Sequence, residues 1–429
     1  MSNSLLPQSP SIRRASTRRR AGSNLPPLQD VHHGALQAIR TFLKGRICYD
    51  AFPISFRLIV LDTKLSVKRA LQCLLMNSVV SAPLWNSDKS EFAGMLTVLD
   101  IIHLIQYYWR TASYDFATED VETLRLEKLR GKLFEIFFRW TLFEVPFLLE
   151  IEIELGVAQP PLLRKHPDNT LYEAAQVLVQ THARRLPLLD YDSDTGHEVI
   201  VSTLTQYRLL KFISINAMIQ CPQEIQKLNL SLRRLKIGTY VAASSATDVP
   251  EGQNPYHPIA TATLNTTVFN VVHMFSELSI SAVPIINEDG IVVNLYETVD
   301  VMTLVRSGSY QSLDLTISEA LKQRSLDFPG VVICTASDSL GTLLQLIKKR
   351  RVHRLVVVEG EEEERKGGRK GRLLGIITLS DVLRYIMGAG TITEAQEPRQ
   401  TQMPSASSTT LPSPSVFGSP TIPATPPIA

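Results

Sequence analysis

Ser339-Leu-Gly-Thr-Leu-Leu-Gln-Leu-Ile347, then Arg354-Leu-Val-Val-Val358, then Gly375-Ile-Ile-Thr-Leu-Ser-Asp381 form the stretch whose pattern decides the fold. Leu340, Leu343, Leu344 and Ile347 stand at i, i+3, i+4 and i+7, one apolar stripe of a helix. Ser339 precedes them and offers a hydroxyl to cap the first turn. Sixteen residues after Leu340 lies the centre of a short apolar run, Leu355-Val356-Val357. A second run follows, and a polar residue then opens another helix with apolar side chains at Val382, Leu383, Tyr385 and Ile386.

The same register occurs three more times upstream. The stripes are Val67, Ala70, Leu71, Leu74, then Leu171, Ala174, Ala175, Leu178, then Val268, Val271, Val272, Phe275, preceded by Ser66, Thr170 and Thr267. Ala82-Pro83-Leu84, Leu186-Pro187-Leu188 and Val283-Pro284-Ile285 follow at the same offset of sixteen, and the second runs end at Asp100, Arg208 and Asp300. Four copies in one register predict a fourfold helix–strand–strand–helix repeat, an α/β chain. A unit of roughly 50–60 residues is too small to cover both faces of its own sheet. Copies one and two are therefore expected to form one module, and three and four another.

The expected organisation is a disordered basic tail at 1–34, repeat one at 35–105, a helical insertion at 106–158 and repeat two at 159–213. An inter-module linker at 214–257 precedes repeat three at 258–306, a connector at 307–329 and repeat four at 330–388. Residues 389–429 form a disordered Ser/Thr/Pro tail, since 391–429 hold eight of the 25 prolines and too little apolar surface to offset ordering. Arg13-Arg14-Ala15-Ser16, Ser413-Pro414, Ser419-Pro420 and Thr425-Pro426 are short kinase-like matches, read as solvated tail. Glu361 to Arg372 reads as an exposed loop in which acids and bases nearly cancel.

Composition narrows the function classes. The 429 residues are 44% hydrophobic and 20% charged, and 44 Lys and Arg against 42 Asp and Glu leave a net +2. That balance excludes a chain built to coat nucleic acid or a membrane surface. Cys48, Cys73, Cys221 and Cys334 include no CxxC pair, which argues against a disulfide framework or a zinc cage and fits a reducing compartment. The greasiest stretch, Leu133 to Ile153, is broken by Glu135, Arg139, Glu144, Pro146 and Glu150, so no span is expected. The N-terminal arginines have no apolar run behind them, as a secretory signal would.

No catalytic constellation is present: no GxSxG, no HExxH, no phosphate-cradling glycine loop. His32-His33 is expected to be solvated near the tail. The recurring polar positions point to binding. Asp100, Asp300 and Asp381 each stand where a strand meets a helix, and Thr97 and Thr378 precede their aspartates by three. A carboxylate there can accept two hydrogen bonds from the vicinal diol of a ribose; it can equally be part of a helix cap. Arg184-Arg185 and His353-Arg354 stand at the mouths of short strands, poor packing choices but good phosphate ligands. The alternative for these cations is an ion pair with a neighbouring repeat's carboxylate.

Ser81-Ala-Pro-Leu-Trp85, Phe92-Ala-Gly-Met-Leu-Thr97, Ile237-Gly-Thr-Tyr240 and His353-Arg-Leu-Val-Val-Val358 carry a resemblance. The units resemble cystathionine-β-synthase (CBS) motifs, which pair into Bateman modules. As a set of four, over about residues 36–388, they resemble the γ subunits of the AMP-activated and sucrose-non-fermenting protein kinase family. The resemblance implies two modules meeting in a pseudo-symmetric disc, AMP, ADP and ATP as competing ligands, and no catalysis. It implies a catalytic α subunit and a scaffolding β subunit as partners, without nucleic acid. Residence in cytoplasm and nucleus is a separate expectation, for which Arg18-Arg19-Arg20 is the import hint. It also implies a repeat-four pocket of Asp381, Thr378, Ser281, Thr239 and Ser244, with His353, Arg354, Arg184 and Arg185 as phosphate cations. This chain departs from the family's pattern elsewhere. Arg208 stands at the ribose acid's position in repeat two, Val80 and Ser279 replace a phosphate-binding arginine, and Glu297 replaces a hydroxyl. Those departures place Asp100, Thr97 and Asp300 behind the repeat-four pocket. The alternative reading is a four-motif adaptor or phosphatase regulator with vestigial nucleotide binding.

Overall fold

The structure, a computed structural model, describes residues 28–53, 55–77, 79–110, 123–129, 162–217, 223, 226–242, 254–306, 314–324, 328, 330–365 and 367–389. The kinase-like matches in the tails, Ser244, Cys221 and most of the 106–158 insertion lie outside the described residues.

Each expected apolar stripe is a helix: Val67–Met76, Leu171–Gln180, Val268–Glu277 and Leu340–Lys349. All sixteen stripe residues are buried. The hydroxyls of Ser66, Thr170, Thr267 and Ser339 accept from the backbone N–H three residues on, satisfying a donor the first turn leaves unpaired, worth about 1 kcal/mol each. Each helix leads into an antiparallel hairpin: β2 (Ser81–Asn86) with β3 (Glu91–Thr97), β4 (Arg185–Tyr191) with β5 (Glu198–Thr205), β7 (Ala282–Ile286) with β8 (Val292–Glu297), and β10 (Arg354–Val358) with β11 (Leu373–Thr378). The register breaks at one equivalent step in all four, Leu84/Trp85, Leu188/Leu189, Ile285/Ile286 and Val357/Val358. A bulge there bends each hairpin alike. The closing helices are Val98–Arg110, Gln206–Phe212, Thr298–Arg306 and Leu379–Met387.

The repeat has one more element than the sequence pattern indicates. β1 (Leu61–Asp62) runs parallel to β2 and β9 (Ile333–Thr335) parallel to β10, while Lys165↔Leu188 and Ala262↔Ile285 are single parallel bridges in the other two repeats. The unit is therefore strand–helix–strand–strand–helix. Connectors join it too. The caps Ser66, Thr170, Thr267 and Ser339 bridge to Arg125, Ile47, Thr316 and Ser231, each at the start of a short helical turn. In the inter-module linker, β6 (Thr239–Tyr240) adds to the edge of β11. That approach requires glycine: a Cβ on Gly375 would lie 2.8 Å from the Thr239 carbonyl oxygen, and Gly238 has φ of +93°.

Four apolar clusters show how the repeats pair. Phe92, Leu189 and Ile200 join the sheet faces of repeats one and two, and Ile286, Leu295, Val356 and Leu373 join those of three and four. These are the expected modules. The two larger cores lie on the helices and join the modules to each other. One unites repeats two and four with Leu28–Lys44; the other unites repeats one and three with Leu124, Leu126 and Leu129 of the insertion.

The N-terminal boundary differs from the expected one. A helix spans Leu28–Lys44, beginning inside the expected tail, and Ala35, Leu36, Ile39 and Leu43 complete the two–four core. His32 is fully buried, not solvated, and its Nε2 lies 3.0 Å from the Tyr385 hydroxyl. His33 is exposed. The Glu361–Arg372 loop is largely exposed, opening with a helical turn at Glu361–Glu364.

Candidate functional site

The strand-to-helix junctions place the aspartates. Asp381 Oδ2 accepts from Thr378 N at 2.8 Å and Thr378 Oγ1 at 2.7 Å, while the Asp381 N–H donates back to Thr378 Oγ1. This is a reciprocal capping box, and Asp100 makes the same one with Thr97. The capping role considered from sequence is thus real. It uses one oxygen, and among the described residues no donor reaches Asp381 Oδ1; a carboxylate has further lone pairs to offer. Asp300 caps the Glu297 N–H at 2.7 Å, but Arg324 takes up both its oxygens. In repeat two the Arg208 guanidinium donates to Ser202 Oγ and the Thr203 carbonyl.

The closing strands and helices of all four repeats surround a cavity of about 1700 Å³. Thr97, Arg184, Arg185, Ser281, His353, Arg354 and Thr378 line it, so seven of the residues singled out from sequence meet there. Asp100, Asp300, Asp381 and Thr239 are not in its lining, although Leu379 and Ser380, next to Asp381, are. Ser380 Oγ donates to Gln206 Oε1 at 2.9 Å, tying repeat four to repeat two at the wall.

The lining carries nine Lys and Arg against two carboxylates, Asp50 and Glu297. Arg184 Nη1 at 2.7 Å and Arg354 Nη2 at 3.0 Å both donate to the buried Ser281 hydroxyl. Arg354 also pairs with Glu297, so for this cation the ion pair considered from sequence is present. Burial and then Arg184 and Arg351 lower Arg185 to about 10, and burial with Arg354 lowers Arg184. Burial raises Glu297, against the pull of Arg354. His353 is pushed down to about 4 by burial and by Arg351, Arg354, Arg185 and Arg184. Its surface is open to the cavity, so the guanidiniums are the firmer cause. Such crowding of cations is unfavourable by itself and becomes favourable around a polyanion.

Sequence reasoning missed Arg324 altogether and took Glu297 only as a repulsive carboxylate. Nothing periodic marks Arg324; the run of four basic residues Lys348, Lys349, Arg350 and Arg351, the last three of which line the cavity, was a legible sign of the cationic wall. Among the described residues no group of His, Cys, Asp or Glu could hold a metal ion, and no helix is long and apolar enough to cross a membrane.

The CBS domain family matches residues 254–306 and 325–388, the third and fourth repeats. The 5'-AMP-activated protein kinase subunit gamma of Saccharomyces cerevisiae is 39% identical over 353 residues, 82% of this chain and 94% of that protein. The subunit gamma of Kluyveromyces lactis is also 39% identical, over 83% of this chain and 93% of that protein. Human subunit gamma-3 is 30% identical over 82% of this chain and 61% of that protein. Among solved structures, protein MJ1225 of Methanocaldococcus jannaschii superposes with a TM-score of 0.52 at 13% identity, covering 78% of this chain and 98% of that one, which speaks to the fold alone. With its CBS repeats and its near full-length likeness to the two yeast proteins, the chain belongs to the family of 5'-AMP-activated protein kinase gamma subunits.

Proposed function

We propose that this chain is the non-catalytic, energy-sensing subunit of a heterotrimeric Ser/Thr protein kinase, assembled with a catalytic α and a scaffolding β subunit. In this reading AMP, ADP and ATP compete for one cleft at repeat four. The family's name supports AMP and the kinase. The observation that carries the reading is the convergence of Arg184 and Arg354 on Ser281, in a cationic cavity whose wall includes Thr378 at the head of the Asp381 helix.

The phosphates would take the place of Ser281 as partners of the two guanidiniums, with Arg185 and His353 nearby. The ribose would lie on the Thr378–Ser380 turn, its diol donating to Asp381 Oδ1. Thr239, on the strand that edges β11, would border the base. A charged hydrogen bond contributes about 1.5–3 kcal/mol net, so losing the diol contacts is expected to abolish most binding. The signal follows from difference: ligands that share a cleft shift the kinase only as far as their affinities for its states differ.

Calorimetry on Asp381→Ala and Asp300→Ala tests this. Loss of AMP, ADP and ATP binding in the first and near-normal binding in the second are expected; equal losses would overturn the single-cleft reading. A scaffold with vestigial binding is the second reading, favoured by the self-satisfied Asp300–Arg324 and Glu297–Arg354 pairs. Affinity purification separates the two: co-purified α and β kinase chains support the sensor, a phosphatase catalytic chain the adaptor. Residence in cytoplasm and nucleus is proposed on Arg18-Arg19-Arg20 alone, and imaging of a tagged chain tests it.

A further inference from the structure

Repeat three handles its aspartate differently from repeat four. Arg324, from the connector between them, donates Nε to Asp300 Oδ1 at 2.7 Å and Nη2 to Asp300 Oδ2. Two further N–H groups are engaged, Nη2 with the Leu295 carbonyl at 2.7 Å and Nη1 with Asn294 Oδ1 at 3.0 Å, so four of its five donors are used. The guanidinium carbon lies 3.9 Å from the centre of the Phe328 ring. The Arg324 and Asp300 side chains keep only 10% and 12% of their exposure.

This is the arrangement a ribonucleoside would need, supplied by the chain. Two parallel N–H groups reach the carboxylate as two vicinal hydroxyls would, and a flat cation lies on an aromatic face as a base would. An incoming nucleotide would have to expel a guanidinium held by four hydrogen bonds and leave it without its carboxylate in a nearly sealed site. Repeat four has no counterpart, since among the described residues nothing reaches Asp381 Oδ1. We propose that Arg324 is an internal ligand that closes the third cleft and confines adenine nucleotide binding to repeat four. The proposal rests on the reading above, in which the repeat aspartates bind ribose.

The test is AMP titration of the full chain by calorimetry, comparing wild type, Arg324→Gln and Arg324→Gln with Asp300→Ala. The proposal expects about one site in wild type and a second in Arg324→Gln, tighter by at least about tenfold than any third-cleft binding in wild type. The second site should disappear in the double variant. One site in both wild type and Arg324→Gln, with melting intact, overturns the plug and leaves the sensor reading standing. No site in wild type but an Asp300-dependent site in Arg324→Gln supports the plug and sinks the repeat-four reading; no site in either sinks both. Should Arg324→Gln fail to fold, the Arg324 Nε–H signal in wild type, assigned by nitrogen-15 labelling, decides: unmoved at saturating AMP supports closure, displaced overturns it.

Discussion

Glu297 is one of two carboxylates on a wall crowded with cations, and it is held by Arg354 in a pair whose side chains keep 22% and 13% of their exposure. Its charge has two opposing effects. It neutralises a buried guanidinium, and it would repel and compete with a phosphate. Glu297→Gln keeps the shape and removes the charge, so AMP affinity should rise about three- to tenfold while the unfolding free energy falls by about 1–3 kcal/mol. Calorimetry and urea denaturation read the two effects separately, and weaker AMP binding in the variant would show that Glu297 is not a competitor. The residues that were legible in sequence were those whose backbone position recurs: Asp100, Asp300 and Asp381 open equivalent helices. Their differing states were not legible. Arg324 is 24 residues from Asp300 and meets it only because the connector folds back.

At the scale of elements, the helix Leu28–Lys44 acts as a clasp on the last helix of repeat four. Arg40 Nε donates to the Ile386 carbonyl at 2.6 Å, filling an acceptor left open at that helix end, and His32 lies under Tyr385. Burial, then the neighbouring His33, lowers the His32 pKa below its usual 6.5. A detached helix would bind a proton that the docked one resists. The docking stability is therefore complete above about pH 6.5 and is lost as pH falls toward the lowered folded value. Thermal melts between pH 7.5 and 5 should show a steeper loss in wild type than in His32→Asn; parallel curves would remove His32 from the clasp. The stripe helices and hairpins were readable because period 3.6 and short apolar runs are local properties. β1 and β9, two and three residues long, carry too few positions for a period to show, and β6 is a strand only because β11 offers it an edge.

Across the described molecule, the helical cores join repeat one to three and two to four, while the sheet faces join one to two and three to four. Every repeat is thereby held by two others. Leu344→Ala in the two–four core should cost about 2–5 kcal/mol and lower hydrogen-exchange protection in repeats two and four. Leu74→Ala should do the same in repeats one and three. Protection lost along the sequence modules instead would contradict this pairing. The cavity where Arg184, Ser281, Arg354 and Thr378 meet depends on the same cross-pairing, because those residues come from repeats two, three and four.

The sequence by itself determined the fourfold unit, its caps and buried stripes, and the positions able to carry an acid or a cation at each strand end. Those are properties of a chain segment and its immediate neighbours, set by backbone periodicity and hydrogen-bonding need. Only the tertiary structure decided which apolar face meets which, which aspartate keeps a free oxygen and which is filled by Arg324, and which cations converge on Ser281. An apolar stripe states that it must be buried and says nothing of its partner, and a charge is equally at home beside solvent, a ligand or another residue until the fold brings one of them within reach.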